Sequence, residues 1–259
     1  MDYFEKLDKK PTSDLDWNIP EKKQGIVNII GGCQQNFRTE IQTAEFLNKN
    51  YPLEDTRVVL PDVLKNKLPP LPNFVFVPST DSGSMDDSQI LHDIFNQADF
   101  NLVLGDLSRN SVTGKAIASA YQNSERMTLL TRDSVDLLAD HEPEKVLMNE
   151  NIIMMATLPQ LQKVLRAVYY PKMLLLSQPL MQVAEVLHKF TLSYPVAIIT
   201  LNNEQIMLAK NGMVKAVALD KTSYTALTLW SGELAARTVA MNLYNPNNMI
   251  DATLCAIFA

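Results

Sequence analysis

The chain has 259 residues, of which 46% are hydrophobic and 20% charged, and its formal net charge is −6. This composition is ordinary for a folded domain and excludes a disordered chain, while the acidic balance argues against a nucleic-acid partner, which needs a basic face. The apolar runs are too short to span a bilayer, so no membrane partner is expected, and Cys33 and Cys255 form no disulfide framework, which favours a cytoplasmic location.

Strands and helices are predicted to alternate along most of the chain. Residues 1–24 are charged and contain two prolines, and are interpreted as an N-terminal arm with at most a turn of helix, ahead of one domain at 25–259. Short apolar runs predict strands at 25–30, 57–60, 73–77, 101–104, 127–130, 151–155, 172–176 and 195–200. Apolar residues at helical spacing predict helices at 38–48, 88–98 with Ser88 as its cap, 111–121, 158–168, 180–190, 231–243 and 249–258.

A β-hairpin is predicted near the C-terminal end of this series. Asn211-Gly212 lies between the apolar runs 206–209 and 213–219, and Asn-Gly favours a two-residue hairpin turn. The earlier alternation of strands and helices indicates a mainly parallel sheet covered on both faces. Ligands bind at the carboxyl ends of the strands in such sheets, which directs attention to the loops at 31–37, 79–87, 105–110, 131–135, 156–159, 200–204 and 222–233.

The start of the helix at 231–243 is a candidate anion site. Ser231 and Gly232 precede Glu233 and a run of helix formers, so free backbone N–H groups are expected beside a carboxylate. An anion site next to an acid is what a phosphate-handling enzyme needs. A plain helix start, with an acid favoured by the helix dipole, explains the same residues.

Further candidates lie in the glycine-containing loops that follow strands. Gly32 and Cys33 follow the first predicted strand, and Gly105 follows the strand at 101–104. Asp133 follows the strand at 127–130. The alternatives are tight turns for the glycines and a helix cap for Asp133. The three histidines have no ligand spacing, so no metal site is expected from protein side chains.

These segments together resemble the ADP- or ATP-dependent NAD(P)H-hydrate dehydratases of the ribokinase-like superfamily. Gly31-Gly32-Cys33 is similar to the Gly-Gly-small end of that family's first strand, and Gly105 keeps a glycine of its Ile-Gly-Pro-Gly-Leu-Gly loop. Residues 130–138 and 195–209 resemble two further family segments. The run 231–235, Ser-Gly-Glu-Leu-Ala, is similar to the family's Gly-Gly-Ser-Gly-Asp-Val-Leu-Ala-Gly.

The resemblance implies a three-layer α/β/α fold with a mainly parallel sheet and a C-terminal hairpin at one edge. It also implies repair of hydrated NADH or NADPH, driven by ATP or ADP with Mg²⁺, or a related phosphorylation of a small molecule, with a homo-oligomer as the assembly. Glu233 would be the catalytic base. Nucleotide or phosphate would contact Trp230, Ser231, Gly232, Thr200 and Asn202, and substrate would contact Gly32, Cys33, Gly105 and Asp133.

The chain also departs from the family at several of these positions. Glu233 stands where the family has aspartate, Trp230 where it has glycine, and the nucleotide-site lysine is absent at 200–203. Three hypotheses therefore stay open. The chain is a divergent enzyme of this family, an inactive relative that binds a nucleotide or dinucleotide, or an interaction protein built on the same scaffold.

Overall fold

The computed structural model describes residues 2–7, 19–108, 110–218 and 231–258. The strands are β1 (Phe4–Leu7), β2 (Ile26–Gly31), β3 (Asp55–Pro61), β4 (Phe74–Val77), β5 (Phe100–Gly105), β6 (Met127–Thr131), β7 (Ile152–Met155), β8 (Ala197–Asn202), β9 (Gln205–Lys210) and β10 (Met213–Ala218). The α-helices are α1 (Arg38–Asn50), α2 (Ser88–Asn96), α3 (Ser111–Asn123), α4 (Asp133–Asp140), α5 (Pro143–Leu147), α6 (Leu158–Ala167), α7 (Leu180–Ser193), α8 (Glu233–Tyr244) and α9 (Met249–Phe258).

All of these strands join in one sheet with the order β1-β10-β9-β8-β7-β6-β5-β2-β3-β4. The strands from β8 to β4 in this order are parallel, whereas β9 is antiparallel to both β8 and β10. The β9–β10 turn has Asn211 at φ 51° and Gly212 at φ 78°, the left-handed conformations that a tight hairpin requires. The predicted mainly parallel sheet and its late hairpin are confirmed.

Hydrophobic cores lie on both faces of the sheet and make the predicted three layers. One core joins the sheet to α2, α3, α4, α5, α6 and α7, and the other joins it to α1, α8 and α9. Alternate residues of a strand face opposite sides, so Ile198 packs in the first core and Ile199 in the second. The sheet is therefore buried on both faces, as expected for parallel strands.

Two local predictions were wrong, and the N-terminal arm contains a strand that was not predicted. The backbone of Phe4–Leu7 pairs with the edge of β10, while residues 8–18, where the turn of helix could also fall, lie outside the described residues. The segment 172–176 is irregular, because β7 pairs directly with β8 and leaves no place for a strand between them. The cap of α2 is Asp87, whose Oδ1 accepts a hydrogen bond from the Ile90 N–H at 2.9 Å, and Ser88 is the first helical residue.

None of the helices in the described part of the chain has both the length and the apolar character needed to span a bilayer. The domain boundary at 24/25, the cytoplasmic location and the homo-oligomer stay predictions.

Candidate functional site

The carboxyl ends of β2 and β5 meet at one edge of the sheet. Gly31, the last residue of β2, pairs with Gly105, the last residue of β5, across a local irregularity in register. The N–H of Gly32 then donates to the Gly105 carbonyl at 2.9 Å. Cys33 follows as a buried side chain whose thiol lies 3.5 Å from Gln35 Oε1. The structure thus brings Gly32, Cys33 and Gly105 together.

Asp133 lies against the loop that leaves β5. Its Oδ1 accepts from the Asp106 N–H at 2.7 Å, and its Oδ2 accepts from the Leu107 N–H at 3.2 Å. Gly105 has φ +116°, and a Cβ there would collide with Asp133 Oδ1. Burial raises the pKa of the Asp133 carboxyl. The backbone amides of this loop form a small anion-binding concavity, which the chain's own carboxylate fills.

Arg132 follows β6 and precedes α4 in an unusual conformation, with φ 58° and ψ −136°. Its Nη2 donates to Asp106 Oδ1 at 2.9 Å, while its Nε and Nη1 are buried without a hydrogen-bond partner. Its carbonyl accepts from Gln160 Nε2 at 2.6 Å. A strained backbone of this kind costs on the order of 1–3 kcal/mol and persists where its surroundings hold it, often at functional sites.

Glu40, in the first turn of α1, also lies at the ends of β2 and β5, which is unexpected for an acid. The residue is fully buried, and no other residue donates a hydrogen bond to either carboxyl oxygen. A Cβ added to Gly31 would lie 2.5 Å from Glu40 Oε1 and 2.5 Å from the Gly105 carbonyl oxygen, so the acid packs directly against the two strand ends.

The charges around Glu40 reinforce the effect of its burial. Loss of hydration raises the pKa of the Glu40 carboxyl to about 8, its own backbone N–H lowers it, and the nearby carboxylates of Asp106 and Asp133 raise it, with Arg132 opposing them. A carboxyl with this pKa is mostly protonated at neutral pH, which is an uncommon state for a glutamate.

The start of α8 opens beside α1 at the same edge. Gly232 caps the helix with φ 80°, and a Cβ there would lie 2.8 Å from Thr43 Oγ1 of α1, one helical turn beyond Glu40. The Glu233 N–H donates to Ser231 Oγ at 3.3 Å. The Glu233 carboxylate pairs with Arg237 Nη2 at 2.7 Å on the helix surface, where the Glu233 side chain is 48% exposed.

Thr200 and Asn202 lie at the carboxyl end of β8. Both are buried, and neither the Thr200 hydroxyl nor either amide atom of Asn202 has a hydrogen-bond partner. They alternate with Ile199, which packs in the core beneath α8, so their side chains stand on the other face of the sheet. A ligand that touches both Gly232 and Asn202 therefore lies across the strand ends.

Sequence reasoning missed Glu40, Asp106 and Arg132. Asp106 and Arg132 fall in loops that the pattern assigned to the carboxyl edge, whereas nothing in the sequence distinguishes Glu40 from a solvated acid in a first helical turn. Trp230 lies outside the described residues. Within the described residues, no three His, Cys, Asp or Glu side chains converge in a way that could hold a metal ion.

Known proteins of similar structure share little sequence with this chain. No protein-family model matches the chain, and no curated protein matches it in sequence. Among solved structures, a ribokinase-like superfamily protein from Enterococcus faecalis superposes with a TM-score of 0.68 at 13% identity, over 99% of this chain and 86% of that one.

Two enzymes that were crystallised with nucleotides are also among the solved structures that match. The ADP/ATP-dependent NAD(P)H-hydrate dehydratase of Bacillus subtilis, co-crystallised with ATP and Mg²⁺, gives a TM-score of 0.60 at 11% identity, over 93% of this chain and 82% of that one. An ADP complex of B. subtilis pyridoxal kinase gives a TM-score of 0.53 at 11% identity, over 91% of this chain and 89% of that one. The chain therefore has the ribokinase-like fold.

Proposed function

We propose that this protein binds ATP or ADP across the carboxyl edge of its sheet and transfers a phosphoryl group to a small molecule, as in the repair of hydrated NADH or NADPH. The phosphates would lie at the start of α8, the rest of the nucleotide would extend toward β8, and the substrate would lie at the ends of β2, β5 and β6. The observation that carries this proposal is the buried amide of Asn202, which has no hydrogen-bond partner.

A buried amide of this kind calls for a ligand or an ordered water. Leaving a buried polar group unpaired costs about 1–3 kcal/mol, so such groups are rare and mark sites that something else completes. Asn202 lies at the carboxyl end of a strand, where ligands of open α/β sheets bind. Three strand spacings separate β8 from β5, about 14 Å at ~4.8 Å each, which matches the length of an extended nucleotide.

The start of α8 supports the phosphate end of the proposed ligand. A helix N-terminus presents backbone N–H groups and a partial positive charge to an anion. Gly232 allows a close approach because it has no side chain, and Ser231 adds a hydroxyl. Magnesium would enter with the nucleotide, since Mg²⁺ is commonly held by substrate phosphates together with one or two carboxylates.

The proposed substrate site consists of Gly32, Cys33, Gly105 and Asp133, which lie together at the ends of β2 and β5. On the pattern of the resembling family, Glu233 is one candidate to take the proton of the hydroxyl that is phosphorylated. Its ion pair with Arg237 would have to break first. That same ion pair favours the second candidate function, an inactive relative that binds the nucleotide without turnover.

Thermal unfolding with and without ligand tests the binding proposal. ATP or ADP with Mg²⁺, at about 100 times its dissociation constant, should stabilise the wild-type chain by about 2.7 kcal/mol. Asn202→Leu should lose this stabilisation and remain folded, while Glu204→Gln, an exposed change in the adjacent turn, should keep it. Equal stabilisation of wild type and Asn202→Leu would contradict the proposed nucleotide position.

Turnover separates the two candidate functions. Incubation of hydrated NADPH with ATP, Mg²⁺ and the wild-type chain should regenerate NADPH if the chain is an enzyme. Nucleotide-dependent stabilisation without any NADPH or ADP formed would favour the inactive binder.

A further inference from the structure

Glu40 is a buried acid, to which no other residue donates a hydrogen bond, at the edge where the proposed substrate binds. Resting on the proposed function, we propose that Glu40, and not Glu233, accepts the proton of the hydroxyl that is phosphorylated.

The position of Glu40 is suitable for a proton acceptor. Its carboxyl packs against Gly31 at the end of β2, on the side where the Gly105 carbonyl at the end of β5 also lies. Thr43, one turn further along the same face of α1, contacts Gly232 at the start of α8. Glu40 and Thr43 are three residues apart, about 4.5 Å along the axis of α1, so Glu40 lies about one helical turn from the place where α1 meets the start of α8. A hydroxyl held against the two strand ends would lie between the acid and the phosphate.

Glu233 is less suited to this role. Its side chain is 48% exposed and forms a 2.7 Å ion pair with Arg237, whose guanidinium lies over the Phe46 ring at 5.6 Å. The carboxylate is thus held on the outer surface of α8 by a partner that is itself packed. Glu40 has no such partner to release.

Arg132 indicates the chemical class of the substrate. Its Nε and Nη1 are buried donors without acceptors, and its charge acts on Glu40, whose carboxyl oxygens accept a hydrogen bond from no other residue. A molecule that carries a hydroxyl close to a carbonyl or anionic oxygen would satisfy both side chains, the hydroxyl at Glu40 and the oxygen at Arg132.

The proton and electron pairs balance in the proposed step. The hydroxyl proton moves to a Glu40 carboxylate oxygen, and the hydroxyl oxygen forms a bond to the terminal phosphorus of the nucleotide. The bond from that phosphorus to its bridging oxygen breaks, and the shortened nucleotide leaves with the electron pair. Because the Glu40 carboxyl is fully buried, substrate binding must first separate α1 from the strand ends.

The ionisation of Glu40 gives this step a distinctive pH dependence. Burial, with the carboxylates of Asp106 and Asp133, raises the pKa of Glu40 to about 8 against the opposing charge of Arg132. Only the carboxylate accepts a proton, so turnover should rise about tenfold per pH unit below pH 8 and level off above it.

The test measures turnover of hydrated NADPH with ATP and Mg²⁺ from pH 6 to 9, for wild type and single variants. Glu40→Gln should lower kcat by at least about 100-fold and remove the slope below pH 8, while ATP still stabilises the variant. Glu45→Gln, an exposed change on the same helix, should match wild type, and Glu233→Gln should keep the pH slope. The infrared difference spectrum of wild type minus Glu40→Gln at neutral pH should show the band of a protonated carboxyl.

Two results would overturn the inference, and they differ. Wild-type turnover that Glu40→Gln retains, with the same pH slope, would overturn the role of Glu40 alone. No nucleotide-dependent turnover by wild type at any pH would overturn the enzymatic form of the proposed function and this inference with it.

Discussion

Replacing Glu40 with glutamine should change how the stability of the chain depends on pH. Folding raises the pKa of this carboxyl from 4.5 to about 8. Between pH 4.5 and pH 8 the folded chain therefore holds a proton that the unfolded chain has released. The protonated carboxyl contributes its full stabilisation below pH 4.5, and this contribution is lost as the pH rises to 8. The loss amounts to about 5 kcal/mol, at about 1.36 kcal/mol per pH unit.

Urea unfolding of wild type and Glu40→Gln from pH 5 to 9 measures this contribution directly. The other titrating groups are common to both proteins, so the difference in unfolding free energy should follow Glu40 alone. Wild type should lose stability relative to the variant by about 1.36 kcal/mol per pH unit up to pH 8, and no further above it. The unfolding free energy of Glu45→Gln should change with pH in the same way as that of wild type. A constant difference between wild type and Glu40→Gln would refute the raised pKa.

The remaining predictions concern backbone geometry and buried polar groups, and urea unfolding checks each of them. Gly232→Ala should destabilise the chain by about 1–3 kcal/mol, because φ 80° is strained for alanine and its Cβ would lie 2.8 Å from Thr43 Oγ1. An unchanged unfolding free energy would contradict that geometry. Asp133→Ala should cost about 2–4 kcal/mol, since two backbone N–H groups lose their acceptor. Asn202→Leu should leave stability unchanged or raise it, because an unpaired buried amide is removed, and a loss above about 2 kcal/mol would indicate a missed partner.

Much of the fold was predictable because its signals are local. Asn211 and Gly212 adopt the left-handed conformations of a tight turn, which fixed the hairpin from two residues. The predicted strand at 172–176 failed because an apolar run specifies a strand only where a neighbouring strand is free to pair. Leu174 alone of that segment is buried, while Leu175 and Leu176 are exposed.

The candidate site was predictable in place more than in chemistry. The rule for strand ends located Gly32, Gly105 and Asp133 correctly at one edge. Glu40 escaped because apolar spacing marks the buried face of a helix, and an acid in a first turn is normally solvated. Its burial depends on the meeting of α1 with β2 and β5, which is a long-range property of the fold.

A crystal structure of the chain grown with ATP and Mg²⁺ would show directly whether and where the nucleotide binds. Phosphate oxygens should lie within hydrogen-bond distance of the backbone N–H groups at Gly232 and Glu233, and the amide of Asn202 should bond to the same nucleotide or to a water that bridges to it. A nucleotide bound elsewhere, or none at saturating concentration, would contradict the binding proposal.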